Sequence, residues 1–254
     1  MKIYSANNKV YKSLLVKGQD VINYKIIRSY GTFQADNVRK QIDMLVMLKD
    51  FPNSIDLIDS CEFQETDYSF GHPVESTVHI LQIESCSQSF KEHIRQLAKE
   101  GKLNDFTILR LVSRLLNIIN SLNHDKNVFL LKSKLKQFMI CGKSWKIVDL
   151  SYAHISLDKK QQANLAVLEA ARFLDSTYKT LKSVCQSSFI LDDLYRNLQE
   201  FKNQANSVIE KGIDAPLNFE PKTLFEFSLS LIPLNLSFAL SPQKNNFLDL
   251  KTTI

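Results

Sequence analysis

Several patterns that would point directly to a chemistry are missing from the sequence. The four cysteines (Cys61, Cys86, Cys141 and Cys185) form no CxxC pair, and the histidines show no metal-ligand spacing. We therefore expect reduced thiols, no metal site and no bound cofactor. No apolar run reaches the ~20 residues that span a bilayer, and no secretory pattern occurs at the start. These absences predict a cytoplasmic protein without a membrane span.

Concentrated charge is also missing. The formal net charge is +5, and the lysines and arginines are spread along the chain instead of gathering in one segment. A surface for nucleic acid or anionic lipid would show binding that weakens steeply as the salt concentration rises. The dispersed charge argues against a surface of that kind. A hydrophobic content of 44% over 254 residues does allow one large domain or two lobes.

Hydrophobic periodicity is present and divides the first third of the chain. Residues 2–30 predict three short strands, and residues 35–49 predict a helix with one apolar face. Two further strands are predicted at residues 54–62 and 78–85. The resulting order is β-β-β-α-β-β.

The rest of the chain is mainly helical by the same criterion. A short amphipathic helix is predicted from Phe90, and a longer, largely apolar one follows Asn104, which is a plausible N-cap. Residues 161–182 and 190–211 predict two more helices. We interpret the apolar residues of these helices as core.

Two apolar patterns late in the chain are candidate partner surfaces. Leu191, Leu194, Leu198 and Phe201 follow three- and four-residue steps, which indicates either a helix packed on its own domain or a docking face. In the Pro-containing tail, residues 213–254, apolar residues alternate with mostly polar or small ones. This pattern favours either a hairpin or an edge strand that pairs with a strand of a partner. The first alternating run contains Phe225, Phe227, Leu229 and Leu231.

The centre of the chain resembles the active-site core of protein kinases. Residues 130–137 read Leu-Leu-Lys-Ser-Lys-Leu-Lys-Gln, and Asp149 opens the tripeptide Asp-Leu-Ser twelve positions later. The spacing is similar to the kinase patterns His-Arg-Asp-Leu-Lys-x-x-Asn and Asp-Phe-Gly. By this resemblance Lys132 stands at the catalytic aspartate, Lys134 at the loop lysine and Gln137 at the metal-binding asparagine.

Earlier segments extend the resemblance. Lys25 ends Asn-Tyr-Lys where kinases have Val-Ala-Ile-Lys, and Gln41, sixteen residues later, takes the place of the αC glutamate. Residues 53–60 and 83–86 are most similar to the numb-associated kinases, a group linked to clathrin adaptors. The resemblance covers about residues 2–175.

The fold class that this resemblance implies is α+β, a protein kinase-like two-lobe fold. A five-stranded N-lobe with one αC helix would occupy residues 1–84, and a reduced, mainly helical C-lobe residues 85–212. The Pro-containing tail, residues 213–254, would be a C-terminal extension.

The substitutions remove the chemistry that the resemblance implies. A kinase holds ATP with a Lys–Glu pair and magnesium with an Asp and an Asn, and a further Asp orients the substrate hydroxyl. The ammonium of Lys132 cannot accept a proton at neutral pH and repels a divalent cation. Gln41 cannot neutralise Lys25, and Gln137 is longer than asparagine. Asp149 alone keeps its carboxylate, and we expect it to form a salt bridge with one of the nearby lysines.

The segment after Asp149 is also short. Asn164, which stands at the kinase structural aspartate opening the next large helix, follows after only fifteen positions. That length leaves no room for an activation segment, and the chain contains no Ala-Pro-Glu. A peptide substrate would have no platform.

The sequence therefore predicts a pseudokinase, a protein-binding or scaffold module of a larger assembly, and not an enzyme. An alternative is a nucleotide-binding protein or unorthodox phosphotransferase that uses Lys25, Lys134 and Asp149 to neutralise phosphates. In that case ATP would bind Lys25 and Asp149. A further alternative is that the resemblance is accidental and the chain is another α+β domain.

Overall fold

The computed structural model describes residues 3–6, 9–14, 22–131, 134–185 and 189–216. These residues form a mixed α+β structure with antiparallel sheets and long helices. The tail residues Phe225, Phe227, Leu229 and Leu231, and the strands predicted there, lie outside the described residues.

The largest sheet is built from the first five strands of the chain, all antiparallel. The strands are β1 (Ile3–Ala6), β2 (Lys9–Leu14), β3 (Ile22–Ser29), β4 (Leu57–Asp67) and β5 (Val74–Ile83), in the spatial order β1-β2-β3-β5-β4. Helix α1 (Thr32–Met47) joins β3 to β4, and its buried side chains recur at helical spacing. The predicted order β-β-β-α-β-β is confirmed.

Four more helices follow. They are α2 (Phe90–Lys99), α3 (Asp105–Lys126), α4 (Lys159–Lys182) and α5 (Phe189–Lys211). The Asn104 side chain accepts a hydrogen bond from the Thr107 N–H at 2.9 Å, so the predicted N-cap of α3 is confirmed. The four predicted helices are all present, with ends within a few residues of the prediction.

Five short strands were not predicted. A three-stranded antiparallel sheet consists of β6 (Cys86–Ser89), β8 (Phe138–Cys141) and β9 (Ser144–Ile147), and a two-stranded ribbon of β7 (Val128–Leu130) and β10 (Ala153–Ile155). Segments of three or four residues are too short to display a period. The β8–β9 hairpin turns at Gly142, whose φ of +60° favours glycine.

One hydrophobic cluster runs through the described residues, from Ile27 of β3 to Val208 of α5. The cluster crosses the boundary predicted at residue 84, and that boundary remains a prediction. At its centre is α3, which buries nine apolar side chains.

The regularly spaced apolar side chains of α5 belong to this core. Leu191, Leu194, Leu198 and Phe201 are 8%, 2%, 1% and 0% exposed. These side chains pack inside the protein, which favours the packing interpretation over a docking face.

The cysteines differ from expectation. Cys86 of β6 and Cys141 of β8 are opposite each other in the strand register and form a disulfide, so the prediction of reduced thiols is wrong for this pair. Two short strands set this pairing, and a separation of 55 residues gives no sign of it in the sequence. Cys61 and Cys185 are free. Disulfides persist in oxidising compartments, so the cytoplasmic location stays a prediction without its thiol argument.

The described helices include none that is long and apolar enough to cross a membrane.

Candidate functional site

Lys25 and Gln41 are placed by the large sheet and by the helix that follows its third strand. Lys25 lies on β3, opposite Leu81 of β5, and is 1% exposed. Gln41 lies on the buried face of α1 and is 2% exposed. Both polar side chains are therefore held inside the protein, where an amide needs hydrogen-bond partners.

Gln41 and Asp149 are brought into contact. The Gln41 Nε2 donates a long hydrogen bond of 3.5 Å to Asp149 Oδ1, and the Ser151 backbone N–H donates to the same oxygen at 3.1 Å. The Ser151 hydroxyl lies within reach of Asp149 Oδ1 and, at 3.1 Å, of Gln41 Oε1. Because this hydroxyl has one proton, it donates to one of the two acceptors at a time. One oxygen of Asp149 is thus surrounded by protein donors.

The Gln137 side chain connects two segments of the backbone near the site. Its Nε2 donates to the backbone carbonyl of Asp149 at 2.9 Å, and its Oε1 accepts from the Lys134 N–H at 2.6 Å. The backbone carbonyl of Gln137 accepts a hydrogen bond from the backbone N–H of Val148 at 2.8 Å. The side chain is 5% exposed. Both Nε2 and Oε1 of Gln137 are hydrogen-bonded to backbone groups, so this side chain links the backbone at Lys134 to the backbone at Asp149.

The donors around Asp149 Oδ1 would compete with a magnesium ion for that oxygen. Magnesium requires oxygen ligands in near-octahedral geometry, usually with carboxylates. An ion bound through Asp149 Oδ1 would have to displace the donors of Gln41 and Ser151. In the described part of the chain, no group of three or more His, Cys, Asp and Glu side chains could hold a metal ion.

Of the other two predicted lysines, the structure describes only Lys134. Lys132 lies outside the described residues. Lys134 is exposed and lines a cavity formed with helices α4 and α5, and neither Lys25 nor Asp149 lines that cavity. The predicted salt bridge from Asp149 to a lysine stays a prediction.

Asn164 has a different position from the one predicted. Helix α4 begins at Lys159, with Asp158 as its N-cap, so Asn164 does not open the helix. Its buried Nδ2 instead donates to the carbonyls of Ile213 and Ala215, at 2.7 and 2.9 Å. The asparagine therefore ties α4 to the chain that leaves α5.

Glu169 is a buried polar residue that sequence analysis missed. It lies on α4, and its carboxylate accepts hydrogen bonds from the Leu130 N–H at 2.6 Å and the Asn123 Nδ2 at 2.7 Å. Burial raises the pKa of Glu169 to about 7, and the two hydrogen bonds oppose that rise. Its position directly after the inward-facing Leu168 was the available signal, because a glutamate next to an apolar helix face needs partners.

Comparison with known proteins gives no relative: no model of a known protein family matches the chain, and no curated protein sequence is similar to it.

Proposed function

We propose that the protein is a catalytically inactive, kinase-like pseudokinase that acts as a protein-binding or scaffold module in a larger assembly. The observation that carries the proposal is that the Asp149 carboxylate is hydrogen-bonded within the protein. This residue is the one carboxylate that the kinase resemblance retains, and its Oδ1 accepts from Gln41 and from Ser151. An aspartate held by amide, backbone and hydroxyl donors supports a structural role.

The strand and helix order supports the kinase-like fold. Kinases have a five-stranded lobe with one helix after the third strand, followed by a helical lobe. The chain has an antiparallel five-stranded sheet, and α1 follows β3. Lys25 on β3 and Gln41 on α1 occupy the elements that the resemblance requires for the Lys–Glu pair.

The short segment after Asp149 supports the loss of phosphotransfer. Helix α4 begins ten positions after Asp149, at Lys159, which is earlier than the fifteen positions expected from Asn164. Part of this segment is strand β10, which pairs with β7. Even less chain is left for a platform that could hold a peptide substrate.

The proposed scaffold role needs an exposed apolar surface, and the candidates are three aromatic residues, one at the start of α1 and two between β4 and β5. Phe33, Tyr68 and Phe70 are 78%, 70% and 54% exposed. Phe70 packs edge-on against Tyr30, with ring centroids 5.2 Å apart. Exposed apolar patches of this kind are typical of interaction sites. We propose that this aromatic surface, defined by Phe33, Tyr68 and Phe70, contacts the protein partner.

Thermal unfolding of the full chain with ATP tests the inactive site. A ligand at 100 times its dissociation constant would add about 2.7 kcal/mol to the free energy of unfolding. We expect no magnesium-dependent shift of the melting temperature and no phosphate transfer. A shift that requires magnesium, together with phosphate transfer, would refute the proposal. A shift without magnesium that is lost in Lys25→Ala would support the nucleotide-binding alternative, because Lys25, unlike Lys134, does not line the cavity between α4 and α5.

The binding role is tested with a double variant of the aromatic surface, Phe33→Ser with Phe70→Ser. We expect a partner captured by the native chain in near-stoichiometric amount to be lost from this variant. The matched control is Leu157→Ser, which changes a similarly exposed apolar side chain between β10 and α4. Equal capture by all three chains would exclude the aromatic surface as the contact.

A further inference from the structure

A basic cavity lies between α4, α5, α2 and the short helical turn at Leu135–Gln137. Its volume is about 830 Å³, which is within the range of roughly 300–1,000 Å³ for small-molecule sites. Six cationic side chains line it: Lys91, Lys134, Lys136, Arg172, Lys179 and Lys202. Asp175 is the only carboxylate among its lining residues, all of which belong to the described part of the chain.

This cavity holds a charge equal to that of the whole chain. Six cations and one carboxylate give it a formal charge of +5. The remaining 26 lysines and arginines are balanced by the remaining 26 aspartates and glutamates, so the chain total is also +5. Charge that is dispersed in the sequence is therefore gathered in space, and the argument from dispersal against an anion-binding surface fails. A concave surface lined by one sign of charge raises the local concentration of counter-ions.

Asp175 holds two of the cations in place. Its carboxylate pairs with Lys179 at 2.5 Å and with Lys202 at 2.8 Å, which joins α4 to α5. These two ion pairs orient both ammonium groups at the cavity before any ligand arrives.

The other four cations have no such partner. Lys91, Lys134, Lys136 and Arg172 form no ion pair with any residue that the structure describes. Like charges around one cavity repel each other, so an anion that neutralises several of them would be favoured.

We propose that this cavity binds a compact ligand that carries several phosphate groups. A phosphate monoester has a charge of about −1.5 to −2 at pH 7, so roughly three such groups match the cavity. The planar guanidinium of Arg172 suits two phosphate oxygens at once, and the lysines act as point charges. Ser176 and Thr180 add hydroxyl donors, and Asn206 adds an amide.

The size of the cavity favours a small polyphosphate over an acidic peptide. A peptide delivers one charge for each carboxylate side chain, on a flexible arm, and needs a longer groove to bring several together. A phosphorylated ring or short chain places the same charge within a few ångströms. The proposal does not depend on the kinase resemblance: Lys134 belongs to both, but Lys25, Gln41 and Asp149 do not line this cavity, and the other five cations have no place in the resemblance.

Titration calorimetry with myo-inositol hexakisphosphate, at 150 mM salt on the full chain, tests the site. We expect 1:1 binding that weakens at least tenfold in the double variant Lys136→Glu, Arg172→Glu. The matched control is Lys49→Glu with Lys143→Glu, which makes the same charge change at exposed lysines away from the cavity. We expect the control to remain within twofold of the native chain.

Vesicles distinguish the two sources of such a ligand. We would compare flotation with phosphatidylcholine vesicles that contain phosphatidylinositol 4,5-bisphosphate and with vesicles of equal charge made with phosphatidylserine. Selective flotation with the first, reversed by soluble inositol hexakisphosphate, would identify a lipid headgroup. Calorimetric binding without flotation would identify a soluble ligand.

Three results would overturn the proposal. One is no binding of either probe by the native chain. The second is equal weakening in the cavity variant and the control variant, which would indicate nonspecific charge. The third is binding of a poly-glutamate peptide as tightly as inositol hexakisphosphate, which would indicate an acidic protein segment instead. Circular dichroism of both variants confirms that each remains folded.

Discussion

The carboxylate of Glu169, on helix α4, accepts a hydrogen bond of 2.6 Å from the backbone N–H of Leu130, at the end of strand β7. Asn123 of α3 donates to the other carboxylate oxygen at 2.7 Å. One fully buried acidic side chain thus joins a helix, a strand and a second helix directly before the segment that carries Gln137. Burial raises its pKa to about 7, so its protonation state changes near neutral pH.

Replacing this carboxyl should flatten the dependence of stability on pH. The ordinary pKa of 4.5 rises to about 7 on folding, so the folded protein binds more protons than the unfolded one between these values. The stabilising contribution is complete below about pH 4.5 and is lost as pH rises through 7, a change of roughly 3 kcal/mol. Urea unfolding between pH 5 and 8 should show this loss in the native chain and a flatter profile in Glu169→Gln.

The glutamine variant is suited to this test because it preserves most contacts. Its Oε1 can still accept from the Leu130 N–H. Asn123 Oδ1 is buried and has no hydrogen-bond partner among the described residues, so a turn of that amide would offer an acceptor to the new Nε2. The exposed Glu210→Gln is the control and should keep the native profile. Parallel profiles for all three chains would contradict the assignment of the pH dependence to Glu169.

Breaking the disulfide between Cys86 and Cys141 should lower stability. The bond closes a loop across 55 residues, and loop-closure entropy of the unfolded chain predicts a stabilisation of roughly 4 kcal/mol. Thermal unfolding of the double variant Cys86→Ser, Cys141→Ser should therefore show a lower melting temperature, and reductant should lower that of the native chain similarly. Cys61→Ser, which removes an exposed free thiol, should not. A native melting temperature that is insensitive to reductant would mean that the bond contributes nothing.

Gln137→Ala should destabilise the protein although it removes a polar side chain. The substitution leaves the Lys134 N–H and the Asp149 carbonyl without the partners that Gln137 provides. An unpaired buried backbone group costs about 1–3 kcal/mol. For a chain of this size each kcal/mol lowers the melting temperature by about 2–4 °C.

The control for this variant is Gln96→Ala. Gln96 is exposed, and its Nε2 donates to a neighbouring surface side chain, Glu100. Differential scanning fluorimetry should show a loss for Gln137→Ala and almost none for Gln96→Ala. Equal and small shifts would mean that water replaces the amide of Gln137.

The longer elements could be predicted from the sequence because each carries its own signal. Helix α3 shows a sustained apolar period, and Asn104 marks its start. Strands β6 to β10 could not be predicted, because three or four residues give no period and their pairing depends on distant segments. The disulfide was missed for the same reason: Cys86 and Cys141 meet only through the β6–β8 register.

The candidate site could be predicted in part. The kinase resemblance assigned Gln41 and Asp149 to the same region, and the structure brings these two side chains into contact. The contacts themselves could not be predicted, because the sequence does not say whether an amide will face a lysine or a carboxylate. The basic cavity was missed altogether, because lysines as far apart as Lys91 and Lys202 meet only after α2 and α5 are packed.

Helix α5 should prove to be core and not a docking face. Leu198 is 1% exposed and lies within the hydrophobic cluster, so Leu198→Ala should cost about 2–5 kcal/mol in the free energy of unfolding through lost burial and a cavity. Ile209, on the same helix, is 64% exposed, and Ile209→Ala should change that free energy by less than about 0.5 kcal/mol. Urea unfolding measures both. The opposite result would be that Leu198→Ala leaves stability intact but weakens association with a partner. In that case the buried face of α5 would have to leave the core to contact the partner, and the packed position of α5 would be one of two conformations.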